Sequence, residues 1–215
     1  MIRAVIFDLD GVLVSTDELH FQAWKQLADT EGIPFDRTIN HRLRGVSRME
    51  SLEIILEQAA RTYSAEQKAA MADAKNARYR DLLSTLTPAD ALPGAAAIPV
   101  TLKKRGVKIA VGSSSRNTSL ILERLGWSER FDVVVDGNDI RHSKPDPEVF
   151  VLAAKRLDVP PGQCLVVEDA IAGVEAARRA GMAVFGIGTS EELPGVKRLA
   201  ANLAGVSVEE LLRLE

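Results

Sequence analysis

Two aspartates near the start of the chain, Asp8 and Asp10, have the spacing of a paired-carboxylate site. They follow an apolar, β-branched run at residues 4–7, which predicts a buried strand of a parallel sheet. On an extended chain, residues two apart point to the same side, so both carboxylates can face one site. Gly11 follows, and a residue without a Cβ lets the chain turn sharply there. Because neighbouring carboxylates repel unless a cation or a proton lies between them, the pair predicts a functional site rather than a solvated turn.

Polar residues also follow three later apolar runs, at the points where the predicted strands end. In an open parallel sheet the carboxyl ends of the strands lie along one edge, and ligands bind there. We therefore expect these residues to meet Asp8 and Asp10 at one site. They are Ser113, Ser115, Arg116 and Asn117 after residues 107–111, Lys144 beyond residues 131–135, and Glu168 and Asp169 after residues 164–167.

The residue types at this edge predict phosphoryl chemistry. Its carboxylates have no histidine or cysteine beside them and are hard oxygen ligands that suit Mg²⁺ rather than Zn²⁺: Asp8, Asp10, Glu168 and Asp169. The Ser113 hydroxyl and the backbone N–H groups after it suit a phosphate oxygen, and Lys144 adds a point positive charge. Such a set can attack a phosphoryl group and stabilise its charge, with one aspartate as nucleophile and the other as acid/base.

The elements that must position these residues alternate between strand and helix in the second half of the chain. The apolar runs predict strands at residues 107–111, 131–135, 164–167 and 183–185, and helical signals mark residues 95–105, 117–125, 147–157 and 170–180. This alternation predicts an α/β fold, a Rossmann-like parallel sheet with helices on both faces.

A helical block interrupts this pattern after the first strand. Helical periodicity or capping signals mark residues 16–31, 48–61 and 64–83. Residues 35–47 are polar and predict a loop. Because the block is inserted between the first two strands, we expect a helical cap domain of residues 16–87 on a catalytic core of residues 1–15 and 88–215.

The composition argues against several other classes of protein. The chain of 215 residues has a formal net charge of −3 and no basic run, so we expect neither nucleic acid nor a membrane as partner. Cys164 is the only cysteine, which excludes a disulfide framework and suits a reducing compartment. With no signal-peptide pattern and no apolar run of membrane length, we expect a cytoplasmic protein. Nothing in the sequence indicates an obligate interface, so we expect a monomer.

Four motifs, in their order and spacing, resemble those of the haloacid dehalogenase superfamily of aspartyl phosphotransferases. They are Asp8-Leu9-Asp10-Gly11-Val12, Gly112-Ser113-Ser114, Lys144-Pro145 and Glu168-Asp169-Ala170-x-x-Gly173. The resemblance implies that Asp8 is the nucleophile, and that Asp10 is the general acid/base and a metal ligand through its backbone carbonyl. The remaining implied roles are contacts to the phosphoryl group by Ser113 and Lys144, and to Mg²⁺ by Glu168 and Asp169. The dehalogenase branch lacks the paired acidic motif and needs no metal, so it does not fit.

The helical block resembles, more narrowly, the cap of the β-phosphoglucomutase family. The matching segments are His20-Phe21-x-Ala23-Trp24-Lys25, Leu43-Arg44-Gly45-Val46-Ser47-Arg48, Lys75-Asn76, Pro88-Ala89-Asp90 and, in the core, Ser113-x-Ser115-Arg116-Asn117. The resemblance implies that a cap loop grips the sugar phosphate that is not being transferred, through Gly45, Val46, Ser47 and Arg48. Arg48 would supply a bidentate fork for that phosphate.

The same resemblance implies roles for other residues around the cleft. From the core side, the residues on the distal phosphate would be Ser115, Arg116 and Asn117. His20 and Lys75 would link closure of the cap to the acid/base position of Asp10. Thr16 would be the hinge residue, and Trp24 would line the cleft. Without the resemblance, His20 and Trp24 would be assigned to packing, and Lys75 to a solvated helix face.

The activity implied is the interconversion of β-D-glucose 1-phosphate and glucose 6-phosphate with Mg²⁺. It would run through an aspartyl-phosphate enzyme, with β-glucose 1,6-bisphosphate as the priming intermediate. A first alternative is a Mg²⁺-dependent phosphatase of the same fold, in which the cap only selects the sugar phosphate. A second is a catalytically silent sugar-phosphate binder, against which the intact Asp8, Asp10 and Lys144 argue.

Overall fold

A parallel β-sheet is the framework of the fold in the computed structural model, which describes residues 1–43 and 46–213. Its six strands in the described ranges are β1 (Ala4–Phe7), β2 (Lys108–Gly112), β3 (Val133–Val135), β4 (Cys164–Glu168), β5 (Ala183–Ile187) and β6 (Leu199–Ala200). They lie in the order β3-β2-β1-β4-β5-β6, and every pair is parallel. The predicted α/β fold is confirmed.

The register of the three central strands brings the predicted site together. Phe7 at the end of β1 lies opposite Val111 of β2 and Val167 of β4. The residues that come next on the chain, Asp8 and Glu168 among them, therefore lie at one level on the carboxyl edge.

Helices cover the sheet and fill the insertion between β1 and β2. They are α1 (Asp17–Glu31), α2 (Arg37–His41), α3 (Arg48–Leu56), α4 (Ala65–Leu83), α5 (Ile98–Lys104), α6 (Thr118–Arg124), α7 (Glu148–Leu157), α8 (Ile171–Arg179) and α9 (Val208–Leu212). Short 3₁₀ helices lie at Pro88–Asp90, Pro161–Gln163 and Leu203–Gly205. Among the described residues, no helix has both the length and the apolarity that a membrane crossing requires.

The two faces of the sheet bury separate apolar clusters. Val111 of β2 belongs to the cluster that includes Ile121 of α6 and Leu211 of α9. Ala110, the preceding residue, belongs to the other cluster, with Phe150 of α7. This alternation follows from the two-residue period of a strand, and it leaves only the strand ends for polar function.

The inserted helices have a small core of their own, but α4 also packs against the sheet domain. Trp24, Leu52 and Met71 lie in the cluster of the inserted block. Tyr79 and Leu83, near the end of α4, instead join the cluster that contains β1. The division into residues 1–15 with 88–215 and residues 16–87 stays a prediction.

Three short elements, two helices and one strand, were not predicted from the sequence. Residues 37–41 form α2 where a loop was expected, and the Asp36 side chain caps it by accepting a hydrogen bond from the Ile39 N–H at 2.9 Å. The two residues of β6 and the five of α9 are likewise too short for hydrophobic periodicity to show.

Two glycines with positive φ offer a matched test of this fold. A Cβ on Gly94 (φ 84°) would overlap the backbone of Leu203 and Ala204, whereas one on Gly106 (φ 75°) meets no heavy atom within 4 Å. We expect Gly106→Ala to lower the free energy of unfolding by about 1 kcal/mol, the strain of that φ. Gly94→Ala adds a backbone clash and should cost at least about 3 kcal/mol by urea denaturation. Equal losses would mean that Leu203 is not held against Gly94.

Candidate active site

Asp8 is buried at the carboxyl end of the sheet and paired with a lysine. It is the first residue after β1, and its N–H donates to the Val167 carbonyl at 2.9 Å. The Lys144 ammonium, itself 2% exposed, forms an ion pair with the Asp8 carboxylate. It also donates to Glu168 Oε1 at 2.6 Å. Lys144 therefore bridges two carboxylates of the predicted site.

Burial and crowding disturb the titration of these groups. Burial raises the pKa of Asp8 to about 7, although Lys144 opposes the shift. Burial, together with the charges of Glu168 and Asp8, raises the pKa of Asp169 to about 9. Burial alone would lower the pKa of Lys144, but the two carboxylates more than offset it and hold that pKa above its ordinary value. The site thus has more carboxyl groups than Lys144 alone can neutralise, and without a further cation they hold protons to a higher pH.

A divalent cation fits this cluster of carboxyl groups, which it would neutralise in place of their protons. Carboxylate oxygens of Asp8, Glu168 and Asp169 lie within 4.8 Å of one another. A Cβ on Gly11 would overlap the Asp169 carboxylate, and one on Gly173 would overlap the Glu168 carboxylate. These two glycines therefore leave the space that the acidic side chains occupy. An all-oxygen set of this kind suits Mg²⁺, so the residues present fit the predicted ion.

Asp10 lies apart from this group and is held by Thr16. Its Oδ1 accepts hydrogen bonds from the Thr16 N–H at 2.8 Å and from the Thr16 hydroxyl at 2.6 Å. Burial raises the pKa of Asp10, and the two bonds from Thr16 partly oppose that shift. The Asp10 side chain is thus oriented separately from the carboxylates of Asp8, Glu168 and Asp169, which is compatible with its predicted role as acid/base. Its predicted backbone contact to the metal stays a prediction.

The loop after β2 is held in shape by its own hydroxyls. The Ser115 N–H donates to Ser113 Oγ at 3.1 Å, and the Asn117 N–H donates to Ser115 Oγ at 3.2 Å. From the next strand end, the Asn138 amide donates to the Arg116 carbonyl at 3.1 Å. The loop therefore presents Ser113 and Arg116 from a fixed backbone.

The loop also contains Ser114, whose side chain makes none of these hydrogen bonds. Within the described ranges, Ser114 Oγ is the buried side-chain polar atom that lacks a hydrogen-bond partner. Nothing in the structure explains the hydroxyl there.

A second positive region lies on the side of the inserted helices. Ser47 caps α3 through a capping box with Glu50, and Arg48 is the first residue of that helix. Burial and the nearby charge of Arg116 lower the pKa of Arg48, while Asp73, 3.9 Å away, opposes the shift. Two guanidinium groups, one from each side of the cleft, therefore face a common space that an anion would stabilise.

His20, Trp24 and Lys75 lie together beside Asp10, with Trp24 and Lys75 buried and His20 half-buried. The Lys75 ammonium lies 2.8 Å from His20 Nδ1 and 4.6 Å from the ring centroid of Trp24. Burial, reinforced by the charge of Arg48, lowers the pKa of Lys75 to about 7. Burial also lowers the pKa of His20 well below its ordinary value. Lys75 is 3% exposed, so the solvated-face alternative for this residue is wrong.

One cavity of about 660 Å³ gathers the predicted residues between the sheet edge and the inserted helices. Those that line it are Asp8, Asp10, His20, Trp24, Val46, Ser47, Arg48, Lys75, Ser113, Ser115, Arg116, Asn117, Lys144, Glu168 and Asp169. Thr16 lies behind Asp10 and does not line the cavity. Gly45 lies outside the described residues. Trp24 both lines the cavity and packs in the core of the inserted block.

Several cavity-wall contacts were not predicted from the sequence. The Ser143 hydroxyl donates to Glu50 Oε2 at 2.9 Å, and the Asn117 amide donates to Asn76 Oδ1 at 2.9 Å. Both bonds join the inserted helices to the core side of the cleft. The Asn40 amide donates to Asp17 at 3.1 Å, and Asn40 lies on α2, the helix taken for a loop. The capping motifs of α2 and α3 are sequence signals that could have located Asn40 and Glu50.

Comparisons with known proteins agree with this geometry. A family model described as haloacid dehalogenase-like hydrolase matches residues 2–181. The chain is 43% identical to a β-phosphoglucomutase of Bacillus subtilis, over 97% of this chain and 93% of the relative. It is 33% identical to a phosphorylated carbohydrates phosphatase of Thermotoga maritima, over 99% and 97%. The crystal structure of β-phosphoglucomutase from Clostridium difficile matches with a TM-score of 0.92 and 39% identity, over 97% and 95%.

The raised pKa values predict how Mg²⁺ binding depends on pH. Carboxylates that hold protons up to pH 7 or 9 must release them to bind the metal, so we expect the Mg²⁺ affinity to rise at least about tenfold from pH 6 to pH 8. Without metal, these two carboxyl groups bind more protons in the folded state than in the unfolded state, so their contribution to stability should fall as pH rises through this window. The lowered pKa values of Lys75 and His20 act in the opposite direction, so the Asp169→Asn variant is compared with the wild type to isolate the carboxyl contribution. Thermal melts with and without Mg²⁺ measure both effects.

Matched carboxylate variants complete this test. Asp169→Asn should lose most of the stabilisation by Mg²⁺, whereas Glu57→Gln, on the exposed surface of the inserted block, should keep it. An Mg²⁺ shift in Tm that is equal at both pH values, or that survives in Asp169→Asn, would contradict the assignment of the metal site.

Proposed function

The chain belongs to the haloacid dehalogenase-like hydrolase family, and we propose that it is an isomerase interconverting β-D-glucose 1-phosphate and glucose 6-phosphate. The observation that carries the proposal is positive charge at two places around one cavity: Lys144 at the sheet edge, and Arg48 of the inserted helices with Arg116 of the core loop on the other side of the cleft. A phosphatase needs only the positive charge at the sheet edge, which binds the phosphoryl group that is removed. A mutase must hold a second phosphate while the first is transferred.

The roles of the core residues follow from their surroundings. Asp8 attacks the phosphorus atom, the bond from phosphorus to the sugar oxygen breaks, and Asp8 becomes an aspartyl phosphate. Lys144 and Ser113 stabilise the charge on the phosphoryl oxygens. Asp10 gives its proton to the departing sugar oxygen, and in the reverse direction takes a proton from the attacking hydroxyl. Mg²⁺, held by Asp8, Glu168 and Asp169, would supply positive charge beside the nucleophile.

The reaction cycle requires the sugar to bind in two orientations, first with its 6-hydroxyl and then with its 1-phosphate at Asp8. Phosphorylated Asp8 donates to the 6-hydroxyl of β-glucose 1-phosphate, which becomes β-glucose 1,6-bisphosphate. The bisphosphate reverses its direction in the cavity, and its 1-phosphoryl group returns to Asp8, which leaves glucose 6-phosphate. In each orientation, Arg48 and Arg116 hold the phosphate that is not reacting, with help from the loop at Val46 and Ser47.

A sugar-phosphate phosphatase is the second candidate, favoured by one observation. The relative named as a phosphorylated carbohydrates phosphatase is similar over nearly the full length of both chains. Similarity of the core therefore does not separate the two activities, and the inserted helices must do so. Water exclusion during closure decides whether the aspartyl phosphate is hydrolysed.

The state of its cysteine suggests the compartment in which the protein works. The lone cysteine, Cys164, is buried and suits a reducing compartment such as the cytoplasm. We propose a monomer whose partner is a small sugar phosphate, without nucleic acid or membrane.

One assay separates the candidate functions. The enzyme receives β-glucose 1-phosphate, a trace of β-glucose 1,6-bisphosphate and Mg²⁺, and glucose 6-phosphate and free phosphate are measured together. We expect glucose 6-phosphate to exceed free phosphate by at least about tenfold, and Asp8→Asn to abolish both products because the nucleophile is lost. Fast phosphate release with little glucose 6-phosphate would favour the phosphatase, and no turnover would favour the silent binder.

The second phosphate site is tested by arginine variants. Arg48→Ala should lower isomerisation at least about a hundredfold, because a bidentate contact to phosphate is lost. It should leave phosphorylation of Asp8 by acetyl phosphate within about threefold of the wild type, since that donor has no second phosphate. Arg42→Ala, which removes an exposed ion pair with Glu57, serves as the control and should change neither rate. Equal losses of both activities in Arg48→Ala would contradict the assignment.

A further inference from the structure

A chain of hydroxyl groups runs from the buried side of α4 to Asp10. The Tyr79 hydroxyl lies 2.8 Å from the Thr16 hydroxyl, which in turn donates to Asp10 Oδ1 at 2.6 Å. Tyr79 is 0% exposed, and neither Tyr79 nor Thr16 lines the cavity. The chain therefore reaches the acid/base from behind, without touching the substrate.

The direction of the hydrogen bonds in this chain follows from the proton count. A carboxylate only accepts, so the single hydroxyl proton of Thr16 is committed to Asp10. The bond between the two hydroxyls must then come from Tyr79, which donates to Thr16 Oγ1. Burial raises the pKa of Tyr79 well above its ordinary value, so the phenol keeps the proton that it donates.

The Tyr79 ring is fixed by the residues of the inserted helices and by the core. Its centroid lies 4.0 Å from that of His20, at an interplanar angle of 30°. The Lys75 ammonium lies 4.6 Å from the ring centroid. The same ring belongs to the apolar cluster that contains Leu9 and Leu13, on either side of Asp10 in the chain. Because the ring is packed on both sides, its orientation is fixed and its hydroxyl points toward Thr16.

We propose that Tyr79 is a positioning residue for the acid/base, and that it acts through the Thr16 hydroxyl to fix the direction in which Asp10 presents its carboxylate. The inference rests on the proposed function in assigning acid/base chemistry to Asp10. Because Tyr79 comes from α4, the orientation of Asp10 also depends on the seating of that helix on the core. Sequence patterns gave no sign of this, since a tyrosine within an amphipathic helix predicts only packing.

The test uses Tyr79→Phe, which removes the hydroxyl and keeps the ring. We expect kcat to fall about tenfold, the effect of one lost hydrogen bond that orients a reacting group. KM for the sugar phosphate should stay within about twofold, because the hydroxyl lies outside the cavity wall. Tyr63 is the only other tyrosine, and its hydroxyl donates to Glu31 at 3.1 Å, away from the site. Tyr63→Phe is therefore the matched control and should keep the wild-type kcat.

A double-mutant cycle separates positioning from mere packing. If Tyr79 acts through the Thr16 hydroxyl, Tyr79→Phe should cause no further loss of kcat in a Thr16→Val background. In a Thr16→Ser background, which keeps a hydroxyl, the tenfold loss should return. Losses that multiply in Thr16→Val, or a wild-type kcat in Tyr79→Phe, would overturn the proposal. Should Tyr79→Phe not fold, a wild-type kcat in Thr16→Val would overturn it equally.

The rates are compared on whichever reaction the wild type catalyses, since Asp10 is the acid/base of isomerisation and of phosphate release alike. Failure of the proposed function would show in the product formed by the wild type. Failure of the Tyr79 proposal would show in the ratio of variant to wild type.

Discussion

The buried contact of Lys144 with Asp8 and Glu168 is the constraint on which the site depends. Removing the ammonium would leave two carboxylates uncompensated in the interior, a loss of about 3–5 kcal/mol. The sheet makes the contact possible, because β1 and β4 are neighbours in register and end at the same level. The surplus of carboxyl groups, which includes Asp169, is what creates a place for a divalent cation.

The inserted helices complete a site that the sheet edge only begins. They contribute Arg48 opposite Arg116, and the hydrogen bonds Ser143–Glu50 and Asn117–Asn76 join the two sides of the cleft. Positive charge from both sides surrounds a cavity large enough for a phosphorylated hexose. On this account, phosphoryl chemistry belongs to the core, and the choice between sugar and water as acceptor belongs to the inserted helices.

The sequence could predict the helices and strands that are long enough to show a regular hydrophobic periodicity. The strands that end in Asp8 and Glu168 are apolar runs, and parallel-sheet topology alone brings such ends together. The sequence could not predict α2, because five residues are too few to show hydrophobic periodicity. It also could not predict the burial of Lys75, because burial depends on packing and the surrounding helix is rich in lysine and arginine. The role we propose for Tyr79 likewise depends on a buried contact with Thr16, which is distant in the sequence and which no local pattern encodes.

The most direct test of the central claim follows one phosphoryl group. The enzyme is phosphorylated on Asp8 with acetyl phosphate that carries ³²P, and it is then mixed with excess unlabelled β-glucose 1-phosphate in the presence of Mg²⁺. The account predicts that the label leaves in glucose 6-phosphate, after passing through the bisphosphate. Label released chiefly as inorganic phosphate, even with the sugar phosphate in excess, would contradict it.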